Sequence, residues 1–160
     1  MRMCMRSRTH AIARKAIVLL LLGMGTSCGG DDPAGPDGTP GPDFMVGEWN
    51  AQVLVVTSTA NPEISIDLIA SGATFTLSVQ PSGRYTAILS AAGQGSSESG
   101  TLSVEGTQVV FRRTLPSADV SRSAFVRNGD DVTLTGPTLF DFNLDGTSED
   151  ATIEIGLTPR

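Results

Sequence analysis

The residues whose types and spacing could do chemistry lie near the C-terminus, in Asp141-Phe142-Asn143-Leu144-Asp145-Gly146-Thr147-Ser148-Glu149-Asp150. The front half fits D-x-[DN]-x-[DN]-G, the opening of a calcium loop. In such a loop alternate oxygen-bearing side chains converge on one cation while the Gly permits the sharp turn. On that reading Asp141, Asn143 and Asp145 hold a structural Ca²⁺ through their side chains and Thr147 through its carbonyl. Thr152 stands where an EF-hand carries its bidentate Glu, and no helical pattern flanks the loop, so Glu149 or Asp150 would supply the remaining oxygens. The same residues also suit a polar Asp-Gly hairpin turn that needs no metal, set between Leu139–Phe142 and Ala151–Leu157. Spacing alone leaves both readings open.

Other chemistry is limited by what is missing. From Cys28 onward the chain has no Lys, no His and a single Cys. Ser-His-Asp triads, Ser-Lys pairs and Schiff bases are therefore excluded, as is a typical zinc site. There is no G-x-S-x-G and no phosphate-binding Gly loop. Carboxylate pairs suffice for glycoside hydrolysis, but the 17 acids are scattered without a signature. The expectation is a protein that is not an enzyme and has no obligate cofactor. Arg112 and Arg113 are adjacent in an apolar run, so on a strand they point to opposite faces. The inward one could meet an anionic ligand or pair with an acid at a barrel mouth. Gly93–Gly100 and Leu115–Arg122 read as long polar connections without a motif.

The elements that must position these residues read as strands. Period-2 alternation runs through Trp49–Val55, Phe75–Val79, Tyr85–Leu89, Thr101–Glu105, Val109–Phe111, Phe125–Val126, Val132–Leu134 and Ala151–Leu157. Pro81-Ser82-Gly83, Gly106-Thr107 and Asn128-Gly129 punctuate them, the last as a hairpin turn with two residues tolerant of positive φ. Ile64-Ser65-Ile66 and Leu139–Phe142 are candidate extra strands, and Asp67–Ser71 a candidate helical turn before Gly72. Short strands joined by tight turns predict an all-β fold. The expected architecture is an antiparallel up-and-down meander of about eight strands closing into a barrel, which removes exposed edges. Residues 44–160 form this domain.

The chain start is different. Arg2, Arg6, Arg8, Arg14 and Lys15 precede the apolar run Ala16–Leu22, and small residues lead to Cys28. This is the layout of a secretory signal over residues 1–27, with an apolar run shorter than the roughly 20 residues that span a bilayer. Thr26-Ser27-Cys28 resembles the lipobox of bacterial lipoproteins. That resemblance implies acylation of Cys28, with chains such as palmitate, and a lipid bilayer as partner. Ordinary secretory cleavage after Ser27 is the other reading. Gly29, in place of the Asp that commonly retains lipoproteins in the inner membrane, implies an outer-membrane protein facing the periplasm of a Gram-negative envelope. Residues 28–43 then form a tether with five Gly, four Pro and four Asp after the Cys, too poor in apolar groups to fold. It spans about 20 Å as a coil and about 50 Å when stretched. Residues 28–160 carry six Arg against seventeen acids, a net charge of −11. That excludes nucleic acid, whose phosphates need a basic face.

Gly47-Glu48-Trp49 opens the first strand, ahead of a run of hairpins of barrel-sized length. In this it resembles the lipocalin-like small β-barrel proteins found among bacterial lipoproteins. The resemblance implies that Gly47 lets the chain enter the strand and that Trp49 plugs the closed end against a late Arg, Arg127 or Arg160. Trp49 also fits a plain core aromatic. A ligand-binding barrel would take a small apolar or amphipathic molecule, framed by Trp49, Phe75, Leu77, Tyr85, Leu89, Phe111 and Phe125. The other expectation is a barrel with a filled core, serving as a structural or interaction module for another envelope protein.

Overall fold

A computed structural model describes residues 42–160. The signal segment 1–27, Cys28 and the tether as far as Gly41 lie outside the described residues. The chain enters through buried Pro42 and a single 3₁₀ turn, Asp43–Met45, so Asp43 belongs to the folded unit rather than the tether. Nine strands follow: β1 (Gly47–Ser58), β2 (Ser65–Asp67), β3 (Thr74–Val79), β4 (Arg84–Ala91), β5 (Gln94–Glu105), β6 (Gln108–Leu115), β7 (Asp119–Asn128), β8 (Asp131–Phe140) and β9 (Glu149–Pro159).

From β3 to β9 every strand pairs antiparallel with the next, and β9 pairs back onto β1 from Trp49↔Pro159 to Ser58↔Ala151, which closes the sheet. Two short strands share the other edge of β1. β3 takes its first residues, Gly47–Asn50, and β2 its last, Val55–Thr57. The result is an eight-stranded antiparallel up-and-down barrel in which β2 and β3 form one interrupted stave.

Alternation fixes the two faces. Leu77, Val79, Tyr85, Ala87, Leu102, Val109, Val132, Leu134 and Leu157 point inward and are buried, because successive strand residues face opposite ways. Val110 is also fully buried, although it faces outward. Its outer-face neighbours include Arg112 and Arg122, which pair with Glu105 at 3.1 and 3.7 Å, so their stems lie where they can cover it.

The two ends differ. At the end where the chain enters, β5 turns into β6 through Gly106-Thr107 and β7 into β8 through Gly129-Asp130, with φ of 61° at Gly106 and 65° at Gly129. At the other end lie the broad connections 59–64 and 141–148 and the shorter turns 92–93 and 116–118, while 68–73 bridges β2 and β3 partway along the wall, where Leu68 N donates to the Leu54 carbonyl at 2.8 Å.

Several expectations change against this frame. Asn128 stays in the strand, paired with Asp131, and only Gly129 takes positive φ. Ile64-Ser65-Ile66 contributes β2, whereas Leu139 and Phe140 end β8 rather than forming a new strand. Asp67–Ser71 is a hydrogen-bonded turn: Asp67 Oδ1 accepts from Ala70 N at 3.0 Å, and Gly72 follows at φ 87°. The two supposed polar connections are largely strand. Gln94–Gly100 is the outer half of β5, and only residues 116–118 separate β6 from β7. Backbone pairing needs no apolar side chain, so Ser- and Gly-rich staves are silent to a search for hydrophobic alternation.

One seam of the wall is short. The β7–β8 ladder ends at Ala124↔Thr135, although β7 begins at Asp119 and β8 continues to Phe140. Past that point each strand keeps only its other neighbour, β6 or β9. At Gly136 the two strands still lie close, since a Cβ there would lie 2.9 Å from the Arg122 carbonyl oxygen, and no β7–β8 pairing continues beyond it. Pro137 follows and has no N–H to offer across the seam.

Candidate ligand site

The open half of the barrel holds a cavity of about 920 Å³ that is broadly open to solvent. Phe75, Leu77, Leu89, Phe111, Leu134 and Ile155 supply its apolar wall. Several of its other inward positions carry small side chains, among them Ser96, Ser121, Ser123 and Thr138. Small barrels fill their interiors with inward side chains, so a tier of Ser, Thr and Gly leaves space that a tier of Leu and Phe would occupy. The parted halves of β7 and β8 border the cavity through Val120, Pro137 and Leu139.

A charged network sits on this wall. Arg113, next to Phe111 on the inward row of β6, donates through Nη1 to Glu98 Oε2 at 3.3 Å and through Nη2 to Asp119 Oδ2 at 3.1 Å. Its Nε donates to the Ser117 carbonyl at 3.0 Å. The hydroxyl of buried Tyr85 donates to Glu98 Oε1 at 3.2 Å, and its ring meets Phe111 edge-on with centroids 5.2 Å apart. Burial raises the Tyr85 hydroxyl well above its ordinary value, and the Glu98 charge and hydrogen bond add to that. Tyr85 is therefore a neutral donor at every physiological pH. Arg112, on the opposite face, pairs with Glu105 and takes no part.

Of the candidate ligand-contacting residues, Phe75, Leu77, Leu89 and Phe111 line the cavity, while Trp49, Tyr85 and Phe125 do not. Trp49 is 4% exposed in the closed end, where its Nε1 donates to the Met45 carbonyl at 2.8 Å. Phe125 stacks on Phe44 with centroids 5.0 Å apart. Arg127, one of the two late Arg candidates, lies over that Phe44 ring at 5.1 Å. Gly47 has φ 137°, a region open to Gly, in keeping with its place at the start of β1.

Glu98 and Asp119 were not among the sequence candidates, yet they complete the network. The signal was phase. Counting back by twos from Phe125 places Ser123, Ser121 and Asp119 on the inward face. On β5 the same count from Leu102 gives Gly100, Glu98 and Ser96, although the bulge between Ser99 and Gly100 obscures it.

The Asp141–Asp150 loop closes through its own amides. Asp141 accepts from Asp145 N at 3.2 Å and Gly146 N at 2.8 Å; Asn143 Oδ1 accepts from Asp145 N at 3.0 Å. Asp145 Oδ1 accepts from Thr147 N at 2.7 Å, which holds its carboxyl below the usual range. Glu149 Oε2 accepts from Phe142 N at 3.1 Å. Among the described residues no three His, Cys, Asp or Glu side chains are grouped to hold a metal. This is the geometry of an Asx-type turn.

Comparison with protein-family models, curated proteins and solved structures finds no match to this chain. The class rests on geometry: an eight-stranded up-and-down barrel, consistent with a lipocalin-like architecture, closed at one end and hollow toward the other.

Proposed function

We propose that this is a lipid-anchored bacterial envelope protein that binds a small apolar or amphipathic molecule inside its barrel. The carrying observation is the cavity of about 920 Å³, walled by Phe75, Leu89, Phe111 and Ile155 and edged by a polar network. Small-molecule sites are commonly apolar concavities of about 300–1,000 Å³ with a few placed polar groups. The chain reaches the barrel at the closed end, opposite the mouth of the cavity.

Displacement of an apolar fluorescent dye by added amphiphiles tests the binding step. Saturable displacement below about 100 μM is expected, and its absence would leave the barrel as a structural or interaction module. Trp49 is a poor reporter because it lies away from the cavity, so the dye itself must be followed. Fractionation tests the anchor: Cys28→Ser should move the protein from the membrane pellet to the soluble fraction. A wild-type protein already soluble would remove the lipid anchor from the proposal.

A further inference from the structure

We infer that the cavity selects amphiphiles with a positively charged, hydrogen-bond-donating head, alkylamines in chemical class, over carboxylates of equal chain length. This rests on the ligand-binding reading above and names the head group that the site prefers.

Arg113 is the obvious candidate for holding an anion, but three of its five N–H donors are already engaged, two of them by carboxylates. Nη1 goes to Glu98, Nη2 to Asp119 and Nε to the Ser117 carbonyl. One guanidinium thus faces two carboxylates, leaving the trio at net −1. Asp119 accepts Arg113 through Oδ2, and its Oδ1 has no partner among the described residues. Glu98 is held from both sides, by Tyr85 on Oε1 and Arg113 on Oε2, so it is positioned rather than mobile. Arg122, the other cation bordering the cavity, is drawn to Glu105 at 3.7 Å, while Asp150 adds a further acid to the rim. Around the cavity three carboxylates, Glu98, Asp119 and Asp150, stand against two guanidiniums, Arg113 and Arg122, and Arg122 is shared with Glu105.

The wider field has the same sign. Residues 42–160 carry six Arg and fourteen acids, a net charge of −8, with no Lys or His. A carboxylate head would have to share Arg113 with the two carboxylates already on it and sit beside them. An ammonium head brings donors to the free oxygens and brings the trio to neutrality. The apolar tail lies against Phe111 and Phe75 in either case, so the head alone sets the ranking.

Decylamine, decanol and decanoate share one tail and separate the possibilities by dye displacement at low salt. Decylamine should bind about tenfold tighter than decanoate, the scale of one or two partly exposed ion pairs gained in place of a repulsion. Decanol should fall between them, and added salt should compress the range. Asp119→Asn should cut the amine-to-acid ratio about threefold. Its side chain is 55% exposed, so the substitution spares the packed core. Glu98→Gln is the second variant and should act in the same direction. If decanol binds but decanoate matches or exceeds decylamine, Arg113 is reading an anion and this inference fails while the ligand-binding reading stands. An amine preference unchanged in both variants would overturn the assignment to this network. If none of the three displaces the dye, decanol included, the ligand-binding reading itself fails and carries this inference with it.

Discussion

The two ends of the barrel are built from the same strands and differ in what those strands carry inward. At the closed end Trp49, Val79, Val109 and Leu157 meet Met45 from the 3₁₀ turn, and each is at most 4% exposed. Toward the open end the inward row changes to Ser96, Glu98, Ser121, Ser123 and Thr138, with half-buried Phe75 and Phe111 between. Strand number fixes the girth of a barrel, so side-chain volume decides whether a tier is solid or hollow. Stability should therefore reside at one end and ligand chemistry at the other.

The sharpest way to break that contrast is Trp49→Ala. It removes a buried indole and orphans the Met45 carbonyl, and should cost about 3–5 kcal/mol in denaturant unfolding. Trp49→Phe should cost distinctly less. If the alanine variant unfolds at the wild-type midpoint, the closed end is not the stabilising one.

Tyr85 marks the boundary between the two ends. Tyr85→Phe keeps the ring against Phe111 and removes the hydroxyl from Glu98, which should cost about 1–2 kcal/mol near neutral pH. Its alkaline behaviour is more telling. The folded-state value is raised, so the fold favours the neutral phenol. That contribution is fully present below the unfolded value, about pH 10, and is lost as pH rises toward the folded value. Tyr85 is the only Tyr in the chain, and the described residues contain no Lys. An unfolding free energy that falls above about pH 10 in the wild type but stays level in Tyr85→Phe would isolate this hydroxyl. Parallel curves would contradict its placement.

The two ends were also unequally legible in the sequence. The closed end announces itself, because Gly47-Glu48-Trp49 and the Val-rich alternation of Val109, Val132 and Leu157 are apolar in phase. Contrast in the hollow tier is lost or reversed. Where Ser96 and Glu98 face inward on β5, their outward neighbours Ser97 and Ser99 are polar too, and on β7 Asp119 and Ser121 face inward while Val120 faces outward, so both segments resemble loops. The same lack of contrast hid the network. Arg113 was marked by its place beside Phe111, whereas Glu98 and Asp119 lay in segments read as connections. Of the aromatic candidates, Phe75 and Phe111 lie on the cavity wall, and Trp49, Tyr85 and Phe125 lie outside it. Apolarity reports burial, and tier along the barrel axis depends on register, which the sequence does not print.

The Asp141–Glu149 loop belongs to the open end and tests whether that end needs a cation. Its oxygens already serve the amides of Asp145, Gly146 and Thr147. Melting curves in millimolar calcium and in excess chelator should therefore coincide. Asp145→Ala should lower the melting temperature equally in both. A calcium-dependent rise that Asp145→Ala abolishes would instead establish a metal loop; at 100 times Kd such binding would contribute about 2.7 kcal/mol. The Asp145 carboxyl is depressed, so its contribution is present above the usual carboxylate range and is lost as pH falls through the folded value.

The smallest expected change in stability comes from filling the hollow tier, and that smallness makes it diagnostic. Ser121 lies on the inward row of β7, directly across from Phe111 on β6. In a close-packed interior, Ser121→Leu would force neighbouring side chains off their rotamers and cost about 1–3 kcal/mol. In a cavity the added methyl groups enter free space, gain contact with Phe111 and bury apolar surface. The unfolding midpoint should then stay within about 0.5 kcal/mol of wild type or rise. The same substitution removes volume from the site, so displacement of the apolar dye should weaken at least tenfold. Unchanged stability with lost binding is the signature of a hollow end that works as a site. Lost stability with unchanged binding would show that the tier is packed and that the dye sits elsewhere, and the contrast between the two ends would no longer stand.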